Sequence, residues 1–211
     1  MGETGEGERV LLRRAQRVSP ALGAKAPARA VVLFDGASVD EWEPGAKTEA
    51  GLLLHGCRTR KLFRDFAMHL EFRVPFRPAA RGQQRGNSGV YLLGEYELQI
   101  LDSFGLTGAP NECGALYRQK APGVNMCLPP LSWQTFDLEF RAARLGANGE
   151  KTEPARITVR HNGVVIHQDV RLAGPTGGAA RRPETAGPAA ILLRNHRNPV
   201  HFRNIWVEEK A

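Results

Sequence analysis

Apolar and polar side chains alternate along several short segments of the chain. In residues 65–74, DFAMHLEFRV, one face collects Phe, Met, Leu and Val side chains, and the other carries His69, Glu71 and Arg73. Residues 135–142, TFDLEFRA, repeat the pattern with Phe136, Leu138 and Phe140 opposite charged residues. A period of two is the spacing of side chains on one face of a β-strand. Both segments are therefore predicted to be strands with one buried face.

Other segments extend this β pattern over most of the chain. Asn162-Gly163 is a dipeptide suited to a two-residue turn, and it predicts a hairpin in which Val159 faces Ile166. AVVLFDG supplies an opening strand, and AAILLRNH and VHFRNIWVE supply closing ones. No long amphipathic helix is predicted. The pattern indicates an all-β fold with antiparallel sheets, either a sandwich or a barrel.

The segment 85–105, RGNSGVYLLGEYELQILDSFG, is unusually polar for a hairpin. A turn at Gly94-Glu95 would pair Leu93 with Tyr96 and place Tyr91 on the core face. The opposite face would then carry Glu97 and Gln99 among aliphatic side chains. A buried carboxylate must be paired, hydrated or used. Together with His69 and Glu71 from another strand, these groups predict a polar floor suited to a polyhydroxylated ligand, although a solvated sheet face is the alternative.

Length and composition predict one soluble globular domain. The chain has 211 residues, of which 42% are hydrophobic and 24% charged, and no apolar run is long enough to span a bilayer. Residues 1–29 are predicted to be a flexible basic arm, and residues 30–211 a single β-sandwich domain. The net charge is +7, and six basic residues against three glutamates in the arm supply part of it. Because basic residues are not clustered with aromatic ones, no nucleic-acid partner is expected, and the lack of a spanning apolar run predicts no membrane partner.

Three cysteines, Cys57, Cys113 and Cys127, lack the spacing of a zinc site. Cys113 and Cys127 flank a short segment and could form a disulfide in an oxidising compartment, and three buried thiols are the alternative. The N-terminus lacks the apolar stretch of a signal peptide, because VLL is followed at once by two arginines. Either the protein stays inside the cell or its true start lies upstream.

A series of motifs resembles a known family. They are LFDG at 33–36, DFAMHLEFR at 65–73, GNSGVYLLGEYELQILDS at 86–103, CGALY at 113–117, VNMCLPP at 124–130, WQTFDLEFRA at 133–142, ITVRHNGVVI at 157–166 and NPVHFRNIWV at 198–207. In this order they resemble the 3-keto-disaccharide hydrolase family of bacterial proteins, over about residues 31–208.

The resemblance implies a concanavalin A-like jelly-roll β-sandwich of two antiparallel sheets, with FRNIWV beside VVLFDG. It also implies a saccharide substrate, a glycoside already oxidised to a ketone at C3 of the sugar. The ketone acidifies the C2 hydrogen, so a base can remove it while the glycosidic oxygen leaves C1. Water then attacks the unsaturated product. The step needs a base, a group that stabilises the enolate and an acid. No nicotinamide or flavin is needed; a divalent metal could hold the enolate, but no ligand spacing assigns one.

Nine residues are candidates for this chemistry. Glu97 or His69 is the candidate base and Glu71 its partner or the acid. The candidate donors to sugar oxygens are Arg73, Asn87, Gln99, Lys120, Asn125 and His196.

Several of these residues also have ordinary structural interpretations. Arg73 could pair with Glu71, and Asn87 could cap the approach to Gly89. Trp133 could stack on a sugar, but a core anchor is the preferred interpretation. His196 lies in RNHRNP, where family members more often have Asp-His-Gly. The neutral Asn195 would then orient the histidine less well than an aspartate would.

Two other functions compete with this interpretation. A classical glycosidase would use two carboxylates that flank the bond. A non-catalytic carbohydrate-binding module would use the same sandwich and polar floor, but stacking aromatic residues would favour it and only 7% of the chain is aromatic.

Overall fold

A computed structural model describes residues 2–3, 9–10, 16–43, 48–176 and 183–210. Its strands, numbered in chain order, are β1 Gly2–Glu3, β2 Arg9–Val10, β3 Val31–Phe34, β4 Trp42–Glu43, β5 Thr48–Glu49, β6 Leu52–Leu54, β7 Cys57–Thr59, β8 Phe66–Arg73, β9 Ser88–Leu92, β10 Tyr96–Ile100, β11 Gln134–Arg141, β12 Arg144–Leu145, β13 Lys151–Glu153, β14 Arg156–His161, β15 Val164–Arg171, β16 Leu192–Leu193 and β17 His201–Glu209. A short 3-10 helix covers Gly82–Gln84. Within these ranges, no helix is long and apolar enough to cross a membrane.

Two antiparallel sheets form the body of the fold, as predicted. The large sheet has the order β15-β14-β11-β8-β17-β6-β5, with β3 pairing on β17. The small sheet has the order β10-β9-β16-β7-β4. The last strand lies beside the opening one, with Ile205 opposite Phe34, which confirms the predicted return of the chain. Two separate hairpins, β1-β2 and β12-β13, complete the strands.

The core is built from the alternating strands. On β8, Met68, Leu70 and Phe72 are buried in a single hydrophobic cluster that also contains Leu98 and Ile100 of β10. This confirms the predicted apolar face of β8. Since side chains alternate along a strand, the intervening residues of both strands project from the outer faces of the two sheets.

The β9-β10 hairpin has a different register from the predicted one. Leu92 lies opposite Tyr96, and Tyr91 opposite Glu97. The turn includes Leu93 and Gly94 with positive φ values of 56° and 68°, so the predicted turn at Gly94-Glu95 is wrong. A shift of one residue moves a side chain to the other face, and Tyr91 therefore lies on the outer face with Glu97.

The β14-β15 hairpin turns at the predicted dipeptide. Asn162 and Gly163 have φ values of 50° and 80°, as a turn of this kind requires. Val159, however, lies opposite His167, because the register shifts between Val159 and Arg160. The predicted pairing of Val159 with Ile166 is therefore wrong, because this irregularity changes the residue that lies opposite Val159.

Part of the predicted N-terminal arm makes defined contacts with the large sheet. The Ser19 hydroxyl lies 2.7 Å from that of Thr135. The Gly23 amide donates to Glu71 Oε1 at 2.5 Å, and the Ala24 carbonyl accepts from Asn204 at 3.0 Å. Residues 19–24 therefore cover the outer face of this sheet. Residues 1, 4–8 and 11–15 of the predicted arm lie outside the described part of the chain.

The three cysteines are free and buried. Of the two alternatives left open by the sequence, the structure therefore has three thiols in place of a Cys113–Cys127 disulfide. Burial raises the pKa of the Cys57 thiol to about 12.

Candidate functional site

The outer face of the small sheet gathers five polar side chains, which we call the polar face. They are Asn87, Tyr91, Glu97, Gln99 and Arg194. Tyr91 pairs with Glu97 and Gly89 with Gln99 across β9 and β10. The backbone amide of Arg194 donates to the Gly89 carbonyl at 2.9 Å, which aligns the end of β16 with the same row. Three neighbouring strands thus position these groups.

Glu97 is the central group of the polar face. Its side chain is 3% exposed, and the Tyr91 hydroxyl donates to its Oε2 at 2.7 Å. Burial raises the pKa of this carboxyl to about 7, opposed by the Tyr91 hydrogen bond and by the positive charge of Arg194. A carboxyl with such a pKa can both accept and release a proton near neutral pH.

Gly89 makes room for the Glu97 side chain. A Cβ atom at this position would lie 2.6 Å from Glu97 Oε1. No other residue fits under the carboxylate without moving it, so the glycine fixes where the carboxyl group lies.

The amides of Gln99 and Asn87 continue the polar face beside Glu97. Gln99 is fully buried. With its nitrogen turned toward the Ser88 carbonyl at 2.9 Å, its amide also donates to Glu97 Oε1 at 3.2 Å. The Asn87 amide lies 3.2 Å from the Gln83 amide. These buried amides are paired as buried polar groups must be, and that of Gln99 contacts the carboxylate oxygen that Tyr91 does not.

Arg194 supplies the positive charge. Its guanidinium carbon lies 5.3 Å from the centre of the Tyr91 ring, within the range of a cation–π interaction. The Ser88 hydroxyl donates to the Arg194 carbonyl at 2.8 Å, which fixes the backbone at this point. The exposed head group of Arg194 therefore lies beside a buried carboxyl group and is accessible to a ligand.

His69 and Glu71 lie on the other sheet, so the prediction that they share one floor with Glu97 is wrong. β8 belongs to the large sheet and β10 to the small one, and both side chains project from the outer face of their own sheet. The sequence could not show this, because strand assignment to sheets depends on contacts between distant segments.

A separate buried network holds Glu71 and His69. Glu71 Oε2 accepts from Arg203 Nε at 2.6 Å, and Oε1 accepts from Asn204 at 3.0 Å. Burial alone would raise the pKa of Glu71, but hydrogen bonds, first that of His69, lower it to about 2. His69 Nδ1 lies 2.6 Å from an oxygen of Asp137. Against the effect of burial, these carboxylates raise the pKa of His69.

Arg73 and Trp133 lie beside this second network. The Arg73 guanidinium is 5.0 Å and that of Arg203 4.1 Å from the centre of the Trp133 ring. Trp133 is half-buried, and its ring lies among cations on the outer face, so the preferred interpretation as a core anchor is wrong.

The remaining predicted residues are spread around the molecule. Asn125 donates to the Ser103 and Leu106 carbonyls, each at 2.8 Å, and so holds a loop. Lys120 is exposed. His196 is half-buried, and burial, then Arg194 and His55, lower its pKa, so it lies near the polar face.

The side chain of Asn195 does not orient its neighbour His196. Asn195 Oδ1 accepts from the backbone amide of Arg197 at 2.8 Å. The amide therefore shapes the turn that carries His196.

Two members of the polar face were not predicted from the sequence. The predicted register places Tyr91 in the core, and the sequence pattern does not single out Arg194. With Leu93 placed in the turn at positive φ, the alternation of side chains along β9 puts Tyr91 on the outer face. In the described ranges, no group of three or more His, Cys, Asp or Glu side chains is arranged to hold a metal ion.

Comparisons with solved structures support the fold. A protein from Parabacteroides distasonis ATCC 8503, provisionally named a glycosyl hydrolase, superposes with a TM-score of 0.82 at 29% identity, and the match covers 100% of both chains. A second protein of that organism with the same provisional name has a TM-score of 0.61 at 14% identity, over 86% of this chain and 94% of the other. At this lower identity the likeness shows the fold alone.

Comparison with family models identifies the family. No curated protein matches the chain. Residues 29–208 match the model of the 3-keto-alpha-glucoside-1,2-lyase-like domain, which covers most of the chain, including all of the small sheet and all of the large sheet except Glu209 at the end of β17. The chain therefore belongs to the 3-keto-alpha-glucoside-1,2-lyase-like family, the 3-keto-disaccharide hydrolases.

Proposed function

We propose that this carbohydrate-active protein cleaves glycosides oxidised to a ketone at C3 of the sugar, and that Glu97 is the base. The observation that carries the proposal is the buried Glu97 carboxyl group. Burial raises its pKa to about 7, and the two groups that interact with it, Tyr91 and Arg194, carry no carboxylate. A base with this pKa is half ionised near neutral pH and so is matched to proton abstraction at C2.

The elimination takes place across C1 and C2 of the sugar. Glu97 takes the C2 proton, the C–H electrons form the C1–C2 double bond, and the bond from C1 to the glycosidic oxygen breaks. The leaving oxygen takes up a proton from the protonated carboxyl or from water. Addition of water across the new double bond then gives the free 3-keto sugar, so the net reaction is hydrolysis.

Arg194 stabilises the charge that develops on the ketone oxygen. As C2 loses its proton, negative charge moves to the oxygen at C3, and a fixed cation lowers the energy of that state more than that of the ground state. Arg194 is exposed at its head group and held by Tyr91 below. Gln99 positions Glu97, and the Tyr91 hydroxyl tunes its pKa.

Glu95, two residues from Glu97, has its Oε1 engaged by the amide and the hydroxyl of Thr185, and the other surroundings of Glu97 argue against a classical glycosidase. Within the described part of the chain, no second carboxylate contributes to the pKa of Glu97. Along the cross-strand row that passes through Tyr91 and Leu192, the next carboxylate is Glu43 on β4. Four strand spacings separate the two, roughly 19 Å, whereas two-carboxylate hydrolysis needs roughly 5 to 9.5 Å.

The test compares a 3-keto-glucoside with the same glucoside before oxidation, each with and without EDTA. The unsaturated keto sugar is followed by its absorbance and the released aglycone by chromatography. The proposal predicts turnover of the keto sugar alone. Turnover of the unoxidised glucoside would contradict it, and binding of both sugars without turnover would indicate a carbohydrate-binding module.

A further inference from the structure

A groove extends the polar face across β16 and β7. In one cross-strand row, Tyr91 lies opposite both Glu97 and Leu192, and Leu192 lies opposite Arg58. Since neighbouring strands are about 4.8 Å apart, Leu192 lies roughly 10 Å and Arg58 roughly 14 Å from Glu97. An apolar side chain and then a cationic one thus follow the base along the sheet.

This groove is large enough for a ring. Its volume is about 320 Å³, and its lining includes Gly56, Arg58, Leu192 and Arg194. Leu192 is half-buried, and the Asn195 side chain lies over Gly56, so the floor between the two arginines combines an apolar side chain with an amide. A sugar placed with its C2 over Glu97 would direct the group on C1 into this space.

The groove has an excess of positive charge. Arg58 Nη2 lies 3.0 Å from Glu43 Oε1, and Arg60 Nη1 lies 3.0 Å from the other oxygen of the same carboxylate. The single carboxylate of Glu43 therefore pairs with two guanidinium groups and leaves one positive charge in excess. Arg194 forms no ion pair with any residue that the structure describes, and the carboxyl group of its neighbour Glu97 is half neutral near pH 7.

We propose that this groove binds the leaving portion of the glycoside and that this portion carries a carboxylate. The proposal rests on the proposed function, because it places the scissile bond between Glu97 and Leu192. A guanidinium group recognises a carboxylate through two parallel hydrogen bonds, and Arg58, which lines the groove at the end away from Glu97, is the group that meets it, while Arg194 stays with the ketone oxygen. Leu192 contacts the apolar face of the ring that carries the acid. Two sources share this chemistry, an aromatic carboxylic acid and a sugar acid.

Binding of the free acids tests the groove without any turnover. Isothermal titration compares 4-hydroxybenzoate with the neutral 4-hydroxybenzamide, and glucuronate with glucose. We expect at least one acid to bind about tenfold more tightly than its neutral partner, since a hydrogen bond to a charged group is stronger than one between neutral groups. Tighter binding of the benzoate would identify the aromatic source, and tighter binding of glucuronate the sugar acid. Equal affinity of both acids and their neutral partners overturns the proposal.

A pair of variants separates the groove from general charge effects. Arg58→Gln should weaken the preferred acid about tenfold and leave its neutral partner unchanged. Arg171→Gln removes an exposed arginine from β15 on the other sheet and should leave both affinities unchanged. If Arg58→Gln fails to fold, rising salt in the wild type replaces it, because screening weakens only the charged ligand. If the preference for the acid is unaffected by both Arg58→Gln and rising salt, the proposal is overturned.

The outcomes also separate the groove from the proposed function. Glu97→Gln should retain the preference for the acid, because the free acid does not contact the base. If the 3-keto-glucoside is not turned over but the acid preference holds, the proposed function fails alone. If the keto sugar is turned over and each acid binds no more tightly than its neutral partner, only the proposal about the groove fails.

Discussion

The hydroxyl group of Tyr91 donates a hydrogen bond of 2.7 Å to Oε2 of Glu97 across the β9-β10 ladder. Burial raises the pKa of the carboxyl group, and this bond lowers it. The two opposed effects leave the pKa at about 7, so one hydroxyl group helps to decide at which pH the base is ionised. The pair is therefore the point at which the proposed chemistry can be tested through pH.

Replacing Tyr91 with phenylalanine should shift the pH dependence of turnover. The variant removes the donor and leaves the burial, so the pKa of Glu97 rises above about 7. Because the base acts when ionised, kcat/KM rises with pH through this pKa, and the rising limb should move to higher pH. The measurement is kcat/KM for a 3-keto-glucoside over a pH series.

The plateau at high pH is the internal control for Tyr91→Phe. There Glu97 is ionised in both proteins, and the two rates should approach each other. A uniform loss of rate at every pH, with no shift of the limb, would contradict the assigned role and indicate that Tyr91 contacts the substrate instead.

Replacing Gly89 with alanine should displace the base. The new Cβ would lie 2.6 Å from Glu97 Oε1, so the carboxyl group must move, and a misplaced catalytic group typically costs about a hundredfold in rate. Gly174→Ala is the matched control, because a Cβ atom there meets nothing within 4 Å. Full activity of Gly89→Ala in a steady-state assay would show that the observed position of Glu97 is not the active one.

Replacing Glu71 with glutamine should affect stability and not turnover. Glu71 is 1% exposed and paired with Arg203 on the large sheet, so its loss leaves a cation without its partner and should cost about 3 kcal/mol of unfolding free energy in a denaturant titration. The variant should turn over a 3-keto-glucoside at the wild-type rate. Loss of turnover with unchanged stability would instead assign Glu71 to the active site.

The same carboxylate predicts how stability depends on acid. Its pKa is lowered from 4.5 to about 2 in the folded protein, so it contributes about 3 kcal/mol above pH 4.5. That contribution is lost as the pH falls from 4.5 through 2. Thermal melts across this range should show a steeper decline for the wild type than for Glu71→Gln, and parallel declines would contradict the assignment.

Strand patterns could be predicted from the sequence where one face of a strand packs in the core. On β8 the apolar face was identified correctly, because Met68, Leu70 and Phe72 must all point the same way to be buried. The position of Glu97 on the opposite face of β10 from Leu98 followed from the same alternation.

Two features of the site could not be predicted in this way. The register of β9 against β10 depends on Leu93, a branched apolar residue with φ of 56°, where a turn signal favours glycine. The separation of Glu71 from Glu97 depends on which sheet each strand joins, and contacts between distant segments decide that. Local patterns therefore identified the polar residues but not their grouping.

Replacing Glu97 with glutamine removes the proposed base, and its effect is read from turnover of a 3-keto-glucoside and from the thermal midpoint, both measured on the same sample above about pH 7. The carboxyl group has a raised pKa in the folded protein, so its ionised form costs stability as the pH rises from 4.5 through about 7. The account predicts a fall in rate of about a hundredfold or more and a thermal midpoint that is unchanged or higher. Retained turnover, or a rate that falls together with a large drop in the midpoint, would contradict it.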